Sequence, residues 1–217
     1  MSIDGQRQHW DATFAANPDM YGPDPAEPAL AAAERFARVH AHRVLELGAG
    51  QGRDTLFFAN RGFHVVALDY APVTLNTIAT KAAAVDLSSR VSVVRHDVRD
   101  PLPFAEDTFD AHYSHMLFCM ALSTPDLVRL AAEIRRVLRP GGLAVYTVRH
   151  TDDAHFGTGI PHGDGMYEHG GFVVHFFERE LVDQLASGFE LENVVPFIEG
   201  DLPRKLWRVT MIKRVDA

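Results

Sequence analysis

Cysteine is almost absent from this 217-residue chain: Cys119 is the only one, so no internal disulfide can form. It sits in the apolar run Met116-Leu117-Phe118-Cys119-Met120, where a packed thiol is the expected reading. No run approaches the ~18 apolar residues of a membrane span. Met1 to Trp10 is polar and has no apolar segment of the signal-peptide kind. Basic residues are also in the minority. Lys and Arg total 21 against 29 Asp and Glu, a formal charge of −8. That balance argues against a general nucleic-acid binder, which needs a basic face. There are no internal repeats and no low-complexity tail. The expectation is one cytoplasmic domain with no nucleic-acid or membrane partner, large enough for a full core.

What the chain does have is Val44-Leu45-Glu46-Leu47-Gly48-Ala49-Gly50-Gln51-Gly52-Arg53. This reads as a buried strand entering a glycine turn, followed by Leu56, Phe57, Phe58 and Ala59 at helical spacing. A strand, a glycine turn and a helix N-terminus make a nucleotide-binding edge. A dinucleotide fingerprint would need a third glycine at 53, where Arg53 stands. The carboxyl of Glu46 would also repel a pyrophosphate, whereas a cationic or amine-bearing ligand tolerates it.

Taken in order, the chain predicts a helix over 6–17 carrying Trp10 and Phe14, breaks at Pro18 and at Gly22 to Pro25, and a helix over about 26–39. Trp10, Phe14, Met20 and Tyr21 read as a flap packed on the core, and Met20-Tyr21-Gly22 equally as a segment that closes over a ligand. After the glycine turn come a helix to about 61 and the strand His64 to Asp69. Asp69 lies near the ~20-residue spacing expected for a carboxylate that accepts the ribose hydroxyls. A helix over 72–84, a strand Val91 to Arg95, and His96-Asp97-Val98 at its exit follow. Asp110 to His115 is the fourth strand and its exit. Ser123-Thr124-Pro125-Asp126 starts a helix reaching about Leu138, and Leu143 to Val148 is the fifth strand. Strands alternating with helices imply a parallel sheet covered on both faces.

From His150 the texture changes. Five of the twelve histidines (His150, His155, His162, His169 and His175) are interleaved with six glycines, which reads as a long lid or binding loop. A helix over about 178–187 and two strands, 189–198 and 205–213, close the chain as an antiparallel hairpin.

Glu46-x-Gly48-x-Gly50-x-Gly52, the acidic strand end Asp69, His96-Asp97-Val98 and the turn Leu138-Arg139-Pro140-Gly141-Gly142 together resemble the class I S-adenosylmethionine-dependent methyltransferases. The resemblance covers residues 43–149. It implies a Rossmann-like α/β fold: a seven-stranded, mostly parallel sheet with a C-terminal antiparallel hairpin and helices on both faces. It implies an N-terminal helical cap over 1–40, a cofactor-binding core over 43–149, an acceptor-site lid over 150–175, and a C-terminal helix and hairpin over 176–217. It also implies S-adenosyl-L-methionine as cofactor. Tyr21, Glu46, Gly48, Ala49, Gly50 and Arg53 would bind it, with Gly48, Gly50 and nearby backbone groups at its methionine end and Ser114 lining the same end from the exit of the fourth strand. Asp69 would take the ribose hydroxyls, Tyr70 would pack by the adenine, and Asp97 and the Val98 N–H would read the adenine edge. Gly50-Gln51-Gly52-Arg53, Asn60 to Val65 and the end of the chain further resemble small tellurite-resistance and thiopurine-type enzymes. Small sugar O-methyltransferases are the other relatives considered.

Methyl transfer to a neutral hydroxyl needs a base or a metal. The candidates beyond strands four and five are His115, His150, Asp152, Asp153, His155, His162, Asp164 and His169. His115 and His150 are the expected bases. Asp152 and His155 are the expected ligands if an ion such as magnesium takes part. The reading carried forward is O-methylation of a small, saccharide-like hydroxyl acceptor. Its rivals are a metalloid, thiol or amine methyltransferase of the same fold, and a cofactor-binding regulator without turnover. The acceptor and the oligomeric state stay open.

Overall fold

The computed structural model describes residues 5–200 and 202–215. Its centre is a seven-stranded sheet in the order β3-β2-β1-β4-β5-β10-β9. The strands are β1 (Arg43–Leu47), β2 (His64–Asp69), β3 (Val91–Arg95), β4 (Phe109–Ser114), β5 (Leu138–Arg149), β9 (Phe189–Glu199) and β10 (Arg204–Lys213). The first five are mutually parallel, and β10 runs antiparallel to both β5 and β9. Hence β9 runs in the same direction as the parallel strands, and its C-terminal end reaches the same edge of the sheet as theirs. Chain order reverses at β1, which lies between β2 and β4, so a ligand crevice is expected outside the ends of those strands.

The central strands β1 and β4 are buried almost throughout because both faces are covered. On one face Phe36 of α2 (Glu27–Arg38) and Phe58 of α3 (Arg53–Asn60) pack with Val44, Val65 and Tyr113. On the other, Leu127, Leu130 and Ile134 of α5 (Thr124–Val137) and Val182 of α6 (Arg179–Leu185) pack with Leu45, Tyr146 and Val209. The helix α4 (Pro72–Ala84) covers the β2 and β3 end through Leu75 and Ile78. The α5 start is a reciprocal capping box: the Ser123 hydroxyl accepts from the Asp126 N–H, and the Asp126 carboxylate accepts from the Ser123 N–H at 3.0 Å.

Two expectations change. β5 begins at Leu138, not Leu143, because Leu138 pairs with Phe109 before the glycine turn interrupts the register. The stretch 150–175 is not one open loop. It folds into a three-stranded antiparallel meander of β6 (Ile160–Gly163), β7 (Met166–His169) and β8 (Phe172–His175). The glycines read as slack are its turns: Gly163, Asp164 and Gly165 all have positive φ, at 78°, 53° and 71°. Phe172-Val173-Val174 then packs inward. The N-terminal helix α1 (Gln6–Ala16) lies against α4 and β8. The Gln6 side chain pairs with the edge of β8, donating to the Gly171 carbonyl at 2.8 Å and accepting from the Val173 N–H at 3.0 Å.

Candidate functional site

A cavity of about 660 Å³ opens at the C-terminal ends of the parallel strands, within the roughly 300–1,000 Å³ range of small-molecule sites. Its floor on one side is the turn after β1. Gly48, Gly50 and Gly52 have φ of 70°, 51° and 80°. At Gly52 a Cβ would stand 2.6 Å from Ile78 Cγ1, so only glycine lets α3 start this close to α4. Asp69, at the end of β2, is buried and holds the turn in place. Its two oxygens accept from the Gly50 N–H and the Ala71 N–H, each at 2.9 Å. Burial pushes its carboxyl above the ordinary value, with the two backbone donors working the other way. Tyr70 follows, with the Arg7 guanidinium 5.4 Å from its ring centroid. Asp97 lines the far end, gripped by Arg99 through Nη2 at 2.7 Å and Nε at 3.1 Å. Burial opposes its charge, but Arg99 wins and the carboxyl stays below the usual range.

Under the turn, Glu46 is buried and accepts from the Thr55 hydroxyl at 2.5 Å. Burial first, and then the nearby Asp54, push its carboxyl up to about 8. Asp54 itself accepts from the Ala26 N–H at 2.9 Å, the Tyr113 hydroxyl at 3.0 Å and Arg53 at 3.1 Å. Gln51 reaches out to accept from the Met20 N–H and donate to the Asn17 carbonyl, which pins the 17–22 segment beside the turn. Tyr21 then sits at the rim, with Arg53 5.7 Å from its ring centroid.

The opposite wall carries His115, which leaves the end of β4. Its Nδ1 is 2.8 Å from Thr147 Oγ1 and its Nε2 is 3.0 Å from Glu199 Oε1. Thr147 Oγ1 also accepts from the Met116 N–H at 2.9 Å. With the threonine proton turned to Nδ1, the ring presents an Nε2–H to Glu199 Oε1. Burial opposes the Glu199 charge, but His115 and then Arg204, 3.5 Å away, hold its carboxyl below the usual range. Over the top, Trp10 and Phe14 of α1 and Phe172 and Val174 of β8 supply an apolar roof.

The comparisons with known proteins agree with this geometry. Residues 44–142 match the family model described as a methyltransferase domain. The matched stretch runs from β1 into β5 and takes in the glycine turn, Asp69 and Asp97. The chain is 29% identical over 185 residues to methyltransferase phqN of Penicillium fellutanum, covering 77% of this chain and 54% of that one. It is 35% identical over 117 residues to a demethylmenaquinone methyltransferase of Clavibacter sepedonicus, covering 54% and 44%. The chain thus spans about half the length, or less, of these curated relatives. In fold it is similar to the Burkholderia thailandensis 1,6-didemethyltoxoflavin-N1-methyltransferase, solved with 1,6-didemethyltoxoflavin and S-adenosylhomocysteine. The TM-score is 0.74 at 23% identity, covering 97% of this chain and 88% of that one.

Within this methyltransferase fold, Tyr21, Glu46, Gly48, Ala49, Gly50, Arg53, Asp69, Tyr70, Asp97, Val98, His115 and His155 all line the one cavity. Ser114 does not. It is the last residue of β4, fully buried, and its hydroxyl has no partner among the described residues. His150 is also outside the lining. It is buried and stacked on Trp207 with ring centroids 4.5 Å apart, and burial holds its pKa below the ordinary value. The two expected bases are therefore not brought together. Asp152 is 80% exposed and away from the cavity, so it does not share a site with His155. Among the described residues no three His, Cys, Asp or Glu side chains are grouped to hold a metal ion, and the expected pair does not fit magnesium. Asp153 instead pairs with Arg149, Asp164 accepts from the Thr124 N–H and hydroxyl, and His162 pairs with Glu168. Glu199, Arg149 and Arg204 line the cavity without having been singled out in the sequence. The signal available for Glu199 was topological, since a strand end running with the parallel set must reach the active edge. Among the described residues no helix is long and apolar enough to cross a membrane.

Proposed function

We propose that this chain transfers a methyl group from S-adenosylmethionine to the hydroxyl of a small molecule, with His115 accepting the hydroxyl proton. The observation that carries the reading is the His115–Glu199 pair on the wall facing the glycine turn of a methyltransferase fold. The residues present suit the cofactor: a glycine cradle, the buried Asp69 for vicinal hydroxyls and Asp97 for an amino group. When bound, the cofactor supplies an electrophilic methyl on a good leaving group.

The chain's own task is then alignment, which is worth up to ~7–11 kcal/mol of the barrier, and removal of one proton. A proton arriving at His115 Nδ1 produces an imidazolium whose Nε2–H already rests on the Glu199 carboxylate. A half-buried carboxylate placed this way orients the ring and stabilises its charged form. Thr147, buried in β5, occupies Nδ1, so an acceptor hydroxyl meets Nδ1 only when the Thr147 hydroxyl turns away. The apolar roof of Trp10, Phe14 and Phe172 keeps water from competing for the methyl group and favours an acceptor with an apolar body over a bare saccharide. No divalent ion is needed in this scheme, so EDTA should leave turnover unchanged.

A second reading has its own support. Both ring nitrogens of His115 are already engaged, as they would be in a clamp joining β4 to the terminal hairpin. An amine, thiol or metalloid acceptor would need no base, in keeping with the likeness to tellurite-resistance and thiopurine-type enzymes. A screen of acceptor classes with labelled methyl donor separates the two. On the hydroxyl reading, His115→Ala lowers turnover by about 10²–10⁴-fold while S-adenosylhomocysteine affinity holds, and Glu199→Gln falls between it and wild type. Full turnover of His115→Ala on the best acceptor overturns it. Labelled product from any acceptor rejects a regulator without turnover.

A further inference from the structure

Arg149 is the last residue of β5 and lines the acceptor side of the cavity. It is only 5% exposed, and its guanidinium is fixed from one side. Nη2 and Nε bond the two oxygens of Asp153 at 2.5 and 3.1 Å. The same carboxylate accepts from the His155 N–H at 2.9 Å and the Lys205 N–H at 2.8 Å. With four donors on it, Asp153 is saturated and cannot follow the guanidinium elsewhere. Phe176 lies 5.0 Å below the guanidinium carbon.

That leaves Nη1. It has no hydrogen bond to any described residue, and it is not among the sealed polar atoms without a partner. In a side chain this buried, the one direction from which Nη1 is still reached is the cavity the residue lines. A locked arginine with two of its donors spent and the rest turned into a ligand site is a directional donor for an oxygen in its plane. His155 and His169, stacked 4.4 Å apart on the same wall, add no competing negative charge. Around them the lining is apolar, with Met120, Phe172 and Val174.

We propose that Arg149 is a specificity residue that binds an sp² oxygen of the acceptor, a carboxylate or a ketone carbonyl carried on an apolar body, at a position separate from the methylated atom. The proposal rests on the functional reading above only in placing the acceptor at this end of the cavity. The side chain's role is recognition, with Asp153 as the group that positions it.

The test uses three probes of one shape, 2-naphthoate, methyl 2-naphthyl ketone and 2-ethylnaphthalene, titrated by calorimetry into the full chain saturated with S-adenosylhomocysteine. The expected result is that the carboxylate or the ketone binds at least tenfold more tightly than the hydrocarbon, the stronger of the two naming the oxygen type. In Arg149→Met the gap should shrink to within twofold while S-adenosylhomocysteine affinity is kept. Equal affinity of the wild-type chain for all three probes, or no binding by either oxygen probe, overturns the proposal without reference to any variant, which matters because Arg149→Met leaves a buried carboxylate. A gap that survives in Arg149→Met, or in Arg149→Met with Asp153→Asn, overturns it as well. Failure of S-adenosylhomocysteine itself to bind would count against the methyltransferase reading and is read separately.

Discussion

Replacing Glu46 by Gln should change how the stability of the protein without ligand depends on pH, and the size follows from the environment of the side chain. Glu46 is 3% exposed, has the Thr55 hydroxyl as hydrogen-bond donor and lies close to the carboxylate of Asp54. Burial and Asp54 carry its folded value from 4.5 up to about 8. Between those two values the folded chain holds a proton that the unfolded chain has released. Stability therefore falls as pH rises through this window, by about 1.36 kcal/mol per unit, and levels off above the folded value. From pH 6 to pH 8 the loss is about 2 kcal/mol, which for a chain of this size is roughly 4–8 °C in Tm. Gln is close in shape to the protonated acid and cannot ionise, so the variant should match wild type near pH 6 and be the more stable protein at pH 8.5. His150, His155 and His175 have folded values below the ordinary one, chiefly through burial, and lose stability only as pH falls toward acid. Their effect is common to both proteins and cancels in the difference. Calorimetric melts of both, without ligand, across pH 6 to 8.5 decide the matter. Parallel curves would show that Glu46 is already ionised at pH 6, and the account of the turn would be wrong.

Other outcomes follow from the same geometry. Asp69→Asn keeps one acceptor oxygen but turns an amide donor toward either the Gly50 or the Ala71 N–H. S-adenosylhomocysteine affinity should drop by about ten- to a hundredfold, or ~1.5–3 kcal/mol, and wild-type affinity in a titration would refute the role given to this carboxylate. Gly52→Ala must adopt a left-handed φ and crowd Ile78, so denaturant unfolding should show a loss of about 2–4 kcal/mol; an unchanged midpoint would mean the turn adapts freely.

The elements were legible where a segment answers to one local rule. β2, α4 and β3 end where their apolar patterns end, and the α5 start carries its own cap. The glycine-turn side of the cavity was legible because a glycine spacing and two strand-end carboxylates lie within one contiguous stretch. The meander was not, because its glycines are equally those of a slack loop, and only Phe172, Val173 and Val174 closing onto the core decide between the two. The opposite wall was not legible, for another reason. His115 meets Glu199 across the sheet, and Arg149 is defined by which of its nitrogens Asp153 leaves over. His150 shares composition and neighbourhood with His115, and only its stacking on Trp207 separates their fates.

The Gln6 contact with β8 bears on strand pairing between copies of this chain. β8 ends the small sheet, and a bare strand edge is a template for another chain. Here the amide of Gln6 imitates one residue of a neighbouring strand, taking the carbonyl of Gly171 and the N–H of Val173, while the Cys119 carbonyl takes the N–H of His175. The helix that roofs the ligand cavity thus also acts as a plug. A chain shortened past Gln6 would bare one donor and one acceptor together, and light scattering of that shortened protein should rise with concentration where that of the full chain stays flat.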